Sequence, residues 1–309
     1  MKRVSIVTPC YQESGNVADL AQRIRQIMSD LPGYEYEHVY IDNGSTDGTR
    51  EVLRALAKED PRVKVIMNTR NFGHVRSGYH AVLQVSGDAV VCLASDFQDP
   101  PELIPEFLSQ WSRGSKLVLG VKTNSKESPL VYALRSAYYG VLASVAEQRV
   151  VPHATGFGLY DRSIIEALRR IDDPYPFFRG LLAEIGIRPV LIPYTQPRRA
   201  SGHSSQSFWT LYDMALLGIV NHSKLPLRMA VVSGAVCAFV SMLTGVGYLL
   251  YKLLFWDSFS VGIAPALIGI FFLSAIQLIF IGILGEYLGA VWTHVRKHPH
   301  VFEEERLNF

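Results

Sequence analysis

The sequence predicts an α/β fold with a mostly parallel sheet, followed by a hairpin of two membrane helices. Short apolar runs alternate with helical patterns between Val4 and Ala94, and polar clusters follow three of these runs. Strands separated by helices form parallel sheets that are covered on both faces. Nearer the carboxyl end, residues 229–251 and 258–285 contain no charged side chain. Each block is long enough to cross a bilayer, because about 20 apolar residues suffice.

The apolar runs and helical patterns set the order of the elements. Strands are predicted at residues 4–9, 38–42, 63–67 and 89–94, and helices at residues 16–31, 46–58 and 73–85. Ligands of such sheets bind beyond the carboxyl ends of the strands. The three polar clusters, residues 9–13, 42–48 and 95–99, all fall at those ends.

The second cluster, residues 42–48, has two interpretations that the sequence leaves open. One is an Asx turn followed by a helix cap, for which Asp, Asn, Ser and Gly are the favoured residues. The other is a nucleotide site, in which Asp42 accepts hydrogen bonds from a base or ribose and Gly44 lets the backbone approach closely.

The third cluster supplies two carboxylates and an amide within four residues: Asp96, Gln98 and Asp99. Oxygen donors of this kind suit a hard divalent cation that is shared with substrate phosphates. The alternative is a turn in which Asp99 caps the helix that Pro100 and Pro101 begin.

Composition and charge distribution limit the class of partner and the cellular location. Thirty basic and 28 acidic residues nearly balance, so overall charge gives no indication of nucleic-acid binding. The three cysteines lack metal-ligand spacing and are expected to be reduced packing residues. Residues 1–13 lack the apolar core of a cleaved targeting segment. Basic residues flank the two spans more often than they occupy the linker, which predicts that both termini are cytoplasmic.

Four segments together resemble family 2 glycosyltransferases, which have the Rossmann-like GT-A fold: residues 7–13 (VTPCYQE), 41–49 (IDNGSTDGT), 70–73 (RNFG) and 96–101 (DFQDPP). With residues 285–289 (GEYLG) closing the second span, the chain is similar to the polyprenyl-phosphate branch. That branch includes dolichyl-phosphate mannose synthase and bacterial undecaprenyl-phosphate glucosyltransferases. The resemblance implies a GT-A domain at residues 1–206. Apolar residues at helical spacing predict an amphipathic juxtamembrane helix at 207–225, and the apolar blocks predict two transmembrane helices within 226–293 (about 229–251 and 261–285), followed by a cytoplasmic tail at 294–309.

The resemblance also implies roles for individual residues. The nucleotide pocket would be lined by Pro9, Tyr11, Glu13, Asp42, Asn71 and Ser95. Asp96 and Gln98 would hold Mg²⁺ or Mn²⁺ on the diphosphate. The chain departs from the family pattern at three positions where relatives usually carry Asp: Asn43, Ala94 and Gly156.

The resemblance also implies residues that bind the phosphate of the lipid and the diphosphate of the nucleotide sugar. Lys122 and Arg135 fall where relatives bind the lipid phosphate, although Arg135 also fits a solvated helix face. Arg199 and Ser204 resemble an Arg-x-x-Gly-x-Ser lid over the diphosphate, for which the alternative is a basic linker before the membrane. Asp96, Arg199 and Ser204 are therefore the expected catalytic residues.

The function that this resemblance implies is inverting transfer of a hexose, glucose from UDP-glucose as the first expectation, to a polyprenyl phosphate. The family further implies a homo-oligomer, with a tetramer expected, at the cytoplasmic membrane. A processive polysaccharide synthase would carry a Gln-x-x-Arg-Trp element and more spans, which this chain lacks. The other alternative is a degenerate member that binds lipid phosphate or a partner without catalysis.

Overall fold

The computed structural model describes residues 1–124, 154–171, 173, 176, 178–197, 225–255, 263–296 and 298–309. Within these ranges the chain forms an eight-stranded sheet, helices on both of its faces, and two long apolar helices. The strands are β1 (Lys2–Cys10), β2 (Tyr34–Asp42), β3 (Val63–Asn68), β4 (Ala89–Cys92), β5 (Leu117–Asn124), β6 (Ala154–Asp161), β7 (Val190–Thr195) and β8 (Glu303–Leu307). The helices are α1 (Val17–Ser29), α2 (Thr49–Glu59), α3 (His74–Gln84), α4 (Ile104–Ser112), α5 (Arg162–Arg169), α6 (Phe178–Ile185), α7 (Leu225–Leu254) and α8 (Ile263–Val295).

The strand order is β7-β5-β6-β4-β1-β2-β3-β8. β1 pairs in parallel with both β2 and β4, and β2 pairs in parallel with β3. β6 runs antiparallel between β4 and β5, so β5 and its parallel partner β7 point the same way as β1 to β4. The predicted mostly parallel α/β sheet is confirmed, and the carboxyl ends of six strands share one edge.

Alternating side chains divide the core between the two faces of the sheet. Val4 and Ile6 of β1 pack with α1, α2 and α4, whereas Val7 packs with α3, α5 and α6. This alternation follows from the two-residue repeat of a strand.

Polar side chains set two boundaries differently from the sequence prediction. The predicted strand 89–94 ends at Cys92, because Ala94 N–H donates to Asp99 Oδ2 (3.1 Å) instead of continuing the ladder. The predicted helix 46–58 begins at Thr49, because Asp47 Oδ1 accepts from Thr49 N–H (3.2 Å). Both boundaries are set by an Asp that captures a nearby backbone donor.

The carboxyl-terminal helices α7 and α8 contain two segments that are long and apolar enough to cross a membrane: Leu227–Leu254 and Gly269–Thr293. Their large apolar side chains are exposed on the protein surface, as in helices that face lipid. The expected pair of apolar helices is present, and α8 continues beyond the predicted span to Val295.

The segment expected to be a tail, residues 294–309, contains β8. β8 runs antiparallel to β3 and completes the sheet, with Val65 opposite Leu307. Charged contacts hold it there: Arg54 to Glu305 (2.7 Å), Arg50 to Glu304 (2.9 Å) and His80 to Glu303 (2.6 Å). The apolar helix α8 is thereby joined through a short segment to the edge of the sheet.

Candidate active site

The first two polar clusters form one hydrogen-bonded unit beyond β1 and β2. Gln12 exchanges hydrogen bonds with Thr46, through Nε2 to Thr46 Oγ1 (2.9 Å) and from Thr46 N–H to Gln12 Oε1 (3.2 Å). Glu13 N–H donates to Thr49 Oγ1 (2.9 Å), and its carboxylate accepts from Asn16 at the start of α1 (2.5 Å). Tyr11 and Glu13 therefore lie on a turn whose backbone is fixed by the neighbouring turn, and Pro9 lies on β1 just before it.

Asp42 is fully buried and its carboxylate stabilises the turn that follows β2. It accepts from Gly44 N–H and Ser45 N–H (both 3.1 Å) and from Arg50 Nε (2.9 Å). The Asx turn that the sequence allowed is thus formed. Gly44 has φ +81°, and a Cβ there would lie 2.6 Å from the backbone carbon of Arg70, so this turn requires glycine.

Asn43 joins this turn to the one after β3. Its Nδ2 donates to Asn71 Oδ1 (2.8 Å), and its Oδ1 accepts from Phe72 N–H (2.9 Å) and Asn68 Nδ2 (3.2 Å). An Asp in this position could accept but could not donate to Asn71. The departure from the family pattern at Asn43 therefore has a structural reason.

The third cluster follows β4 and holds two buried carboxylates. Asp96 Oδ1 accepts from Gln98 N–H (3.1 Å) across Phe97, whose φ is +59°. Asp99 accepts from Ala94 N–H (3.1 Å) and Tyr194 O–H (3.0 Å). The interpretation of Asp99 as a helix cap is wrong, since the helix that starts at Pro101 has no side-chain cap.

Burial raises the pKa of Asp99, and the charge of Asp96 adds to the effect, whereas the bonds from Ala94 and Tyr194 and the charge of Lys122 lower it. Lys122 lies opposite Tyr194 in the β5–β7 pair. The structure therefore brings Lys122 towards the third cluster, at the carboxyl edge of the sheet. Ser95 is buried in the same cluster.

The donors of this cluster fit a cation that substrate oxygens complete. Among the residues that the structure describes, no group of three His, Cys, Asp or Glu side chains forms a metal cage. Asp96 and Gln98 offer one carboxylate and one amide, and Mg²⁺ is commonly bound by one or two carboxylates together with phosphates and water. Asp99 already accepts hydrogen bonds from Ala94 and Tyr194, so it stabilises the conformation of the loop after β4.

A second departure from the family pattern, Gly156 on β6, also has a structural reason. Its φ of +99° belongs to the left-handed region, which side chains rarely adopt, while a Cβ would meet only Phe178 Cδ1 at 3.9 Å. Backbone conformation, rather than lack of space, therefore disfavours Asp at this position.

Three expected site residues lie outside the described residues: Arg135, Arg199 and Ser204, together with residues 207–224 of the expected juxtamembrane helix. Arg50 and Tyr194, which orient Asp42 and Asp99, are functional residues that the sequence did not predict. Arg50 stands on a helix after the Asx turn and Tyr194 on a distant strand, so no local pattern marks either one.

The family model described as "Glycosyl transferase family 2" matches residues 5–169. The chain belongs to this family. All three polar clusters of this glycosyltransferase fall within the matched segment, and the mostly parallel sheet is the GT-A architecture that the resemblance implied.

The similarity to named relatives extends over the apolar helices as well. The chain is 30% identical to the SfII prophage-derived bactoprenol glucosyl transferase of Shigella flexneri, over 96% of each chain. It is also 30% identical to the bactoprenol glucosyl transferase of Shigella phage SfV, over 98% of this chain and 99% of the relative. Mannosyl-3-phosphoglycerate synthase from Rubrobacter xylanophilus is a structural neighbour at a TM-score of 0.46 and 17% identity, covering 74% of each chain.

Proposed function

We propose that this glycosyltransferase transfers glucose from UDP-glucose to the phosphate of a polyprenyl phosphate, giving a lipid-linked sugar for modification of cell-envelope glycans. The observation that carries the proposal is the similarity to bactoprenol glucosyl transferases across both the sheet and the apolar helices. The fold agrees with it, because the segment after α8 pairs with β3 beside the candidate site. The proposed setting is the cytoplasmic membrane, with both termini cytoplasmic and a tetramer as the expected assembly.

In the proposed reaction, a phosphate oxygen of the lipid attacks the anomeric carbon as the bond to the nucleotide diphosphate breaks, with inversion. A phosphate monoester is largely ionised at neutral pH, its second pKa being about 6, so positioning matters more than a general base. Lys122 and Arg135 would attract the acceptor phosphate. Arg199 and Ser204 would donate to the departing diphosphate.

Asp96 and Gln98 are the residues that would hold Mg²⁺ or Mn²⁺, whose charge helps to neutralise the diphosphate. The carboxyl ends of β1 to β4 and the turns that follow them would bind the nucleotide through Pro9, Tyr11, Glu13, Asp42, Asn71 and Ser95. Because the carboxylate of Asp42 is buried and already bonded, we expect it to act mainly by fixing the turn's shape.

Transfer from a panel of UDP- and GDP-sugars to undecaprenyl phosphate, in detergent with Mg²⁺ or Mn²⁺, tests this function. Wild type should yield lipid product from UDP-glucose, and Asp96→Asn should lower the rate by roughly 10²-fold or more. Asp88→Asn is the matched control, since Asp88 lies at the opposite end of β4 and accepts from Arg3 N–H (2.8 Å). Product from another donor would correct the sugar. Absence of product from every donor would favour the non-catalytic alternative.

A further inference from the structure

A cavity of about 360 Å³ lies where the end of α8 meets the turn after β3. Three arginines and three aromatic residues contribute most of its lining: Arg70, Arg76, Arg296, Phe72, Trp292 and Phe302. Among the described residues, those assigned above to the nucleotide, the metal or the acceptor do not line it. The cavity is therefore a separate feature beside the candidate active site.

The charges of this cavity favour an anion. Among the described lining residues none carries a carboxylate, whereas three carry a guanidinium. Arg70 Cζ lies 4.1 Å from the ring centre of Phe72, and Arg296 Cζ lies 5.6 Å from that of Trp292. Stacking on an aromatic face restrains a guanidinium group. The planar forks then offer paired N–H donors of the kind that bind phosphate oxygens.

The position of the cavity indicates where that anion comes from. The apolar segment Gly269–Thr293 ends at the cavity, and both Trp292 and Thr293 line it. Trp is typical of the level at which a membrane helix leaves the hydrocarbon for the head groups. Basic pockets at this depth attract anionic lipid head groups.

We propose that this cavity binds the phosphate group of a membrane lipid. An anionic phospholipid and a polyprenyl phosphate share that chemistry, and either would place its chain in the bilayer beside α8. The inference uses the proposed membrane crossing by α8 but not the identity of the sugar or the nucleotide.

A lipid bound here would also contact the turn that completes the nucleotide side of the active site. Arg70 and Phe72 line the cavity, while Asn71 between them accepts from Asn43 (2.8 Å). The backbone of Phe72 meanwhile donates to Asn43 Oδ1 (2.9 Å). Lipid binding on one side of the turn would thus restrain the site on the other.

Native mass spectrometry of the full chain in detergent tests the proposal without any transfer reaction. Phosphatidylglycerol, phosphatidylcholine and undecaprenyl phosphate are added separately, and bound lipids are counted. Wild type should retain phosphatidylglycerol, undecaprenyl phosphate or both more strongly than phosphatidylcholine. The double variant Arg70→Gln, Arg296→Gln should bind the retained anionic lipid about tenfold more weakly.

The identity of the lost lipid, a lysine double variant and a control variant together test the proposed site. Loss of phosphatidylglycerol alone identifies a phospholipid site, whereas loss of one of two undecaprenyl phosphates identifies a second site for the acceptor. The double variant Arg70→Lys, Arg296→Lys keeps both positive charges but loses the planar guanidinium groups. Its affinity for the anionic lipid should lie between those of wild type and the glutamine double variant. The control Arg113→Gln, at the exposed end of α4, should bind as wild type. Unchanged lipid binding in the double variant, or an equal loss in the control, would overturn the proposal.

Discussion

Two regions of the sheet's carboxyl edge hold their polar side chains in different ways. Beyond β1, β2 and β3, which we term the turn side, Asn43 donates to Asn71, and Asp42 accepts from backbone N–H groups and from Arg50. Beyond β4, β5 and β7, which we term the charged side, Asp99 is held against the cost of burial near Asp96 and Lys122. On the turn side, hydrogen bonds fix the conformation of the backbone turns. On the charged side, the fold holds charged side chains close to one another in a buried setting.

The largest stability effect is expected from Asp42→Asn on the turn side. The amide keeps an oxygen for Gly44 and Ser45 but removes the negative charge opposite Arg50. Thermal or denaturant unfolding should show a loss of about 2 kcal/mol. Glu51→Gln is the control, because its exposed pair with Arg54 (3.7 Å) should contribute less than about 0.5 kcal/mol. Equal effects from both variants would contradict the comparison.

Asn43→Asp is expected to cost about 1–2 kcal/mol, although it restores the more usual family residue. The carboxylate can accept from Phe72 and Asn68 but leaves Asn71 Oδ1 without its donor. Unfolding measurements at neutral pH provide the check. Stability equal to that of wild type would show that the two turns are not joined through this amide.

Gly156→Asp, on β6 between β4 and β5, is expected to cost about 1–2 kcal/mol through backbone strain alone. The nearest atom to an added Cβ is 3.9 Å away, so packing should not add to the cost. Gly33→Asp provides the control, because Gly33 has open space and no left-handed φ. Should Gly156→Asp match the control in unfolding experiments, the strain argument fails.

A smaller, pH-dependent effect is expected at Glu303 on β8. Burial alone would raise its pKa, but hydrogen bonds from Arg306 and His80 outweigh burial and lower it below 4.5. The stabilisation is therefore complete above about pH 4.5 and is lost as pH falls through the folded-state pKa. The difference in Tm between wild type and Glu303→Gln should be a few degrees at pH 7 and should narrow as pH falls below about 4.5. A constant difference would contradict this assignment.

The smallest effect is expected from Asp99→Asn, the same change as at Asp42 but on the charged side. An amide can still accept from Ala94 or Tyr194 and no longer carries a buried charge. Unfolding should change by less than about 1 kcal/mol, in either direction. A loss as large as that of Asp42→Asn would remove the distinction between the two sides.

Local patterns in the sequence were sufficient for the amino-terminal half of the sheet and for the placement of the polar clusters. The alternation of apolar runs and helices predicted the first four strands, and uninterrupted apolar blocks predicted both long helices. β8 was missed because four of its five residues are charged, which is typical of a solvated tail. Its position depends on Arg50, Arg54 and His80, more than 220 residues earlier, and such pairing leaves no local signal.

The late position of β8 in the chain affects how the enzyme is made. Asn308, just after β8, donates to the carbonyl of Val63, 245 residues earlier. During synthesis, β3 therefore remains an open sheet edge until α7 and α8 have left the ribosome. An open edge strand can pair with other chains, so a nascent chain that stalls within the helical hairpin would expose the unpaired edge of β3 to aggregation. Only chains that have already produced both apolar helices can close the sheet.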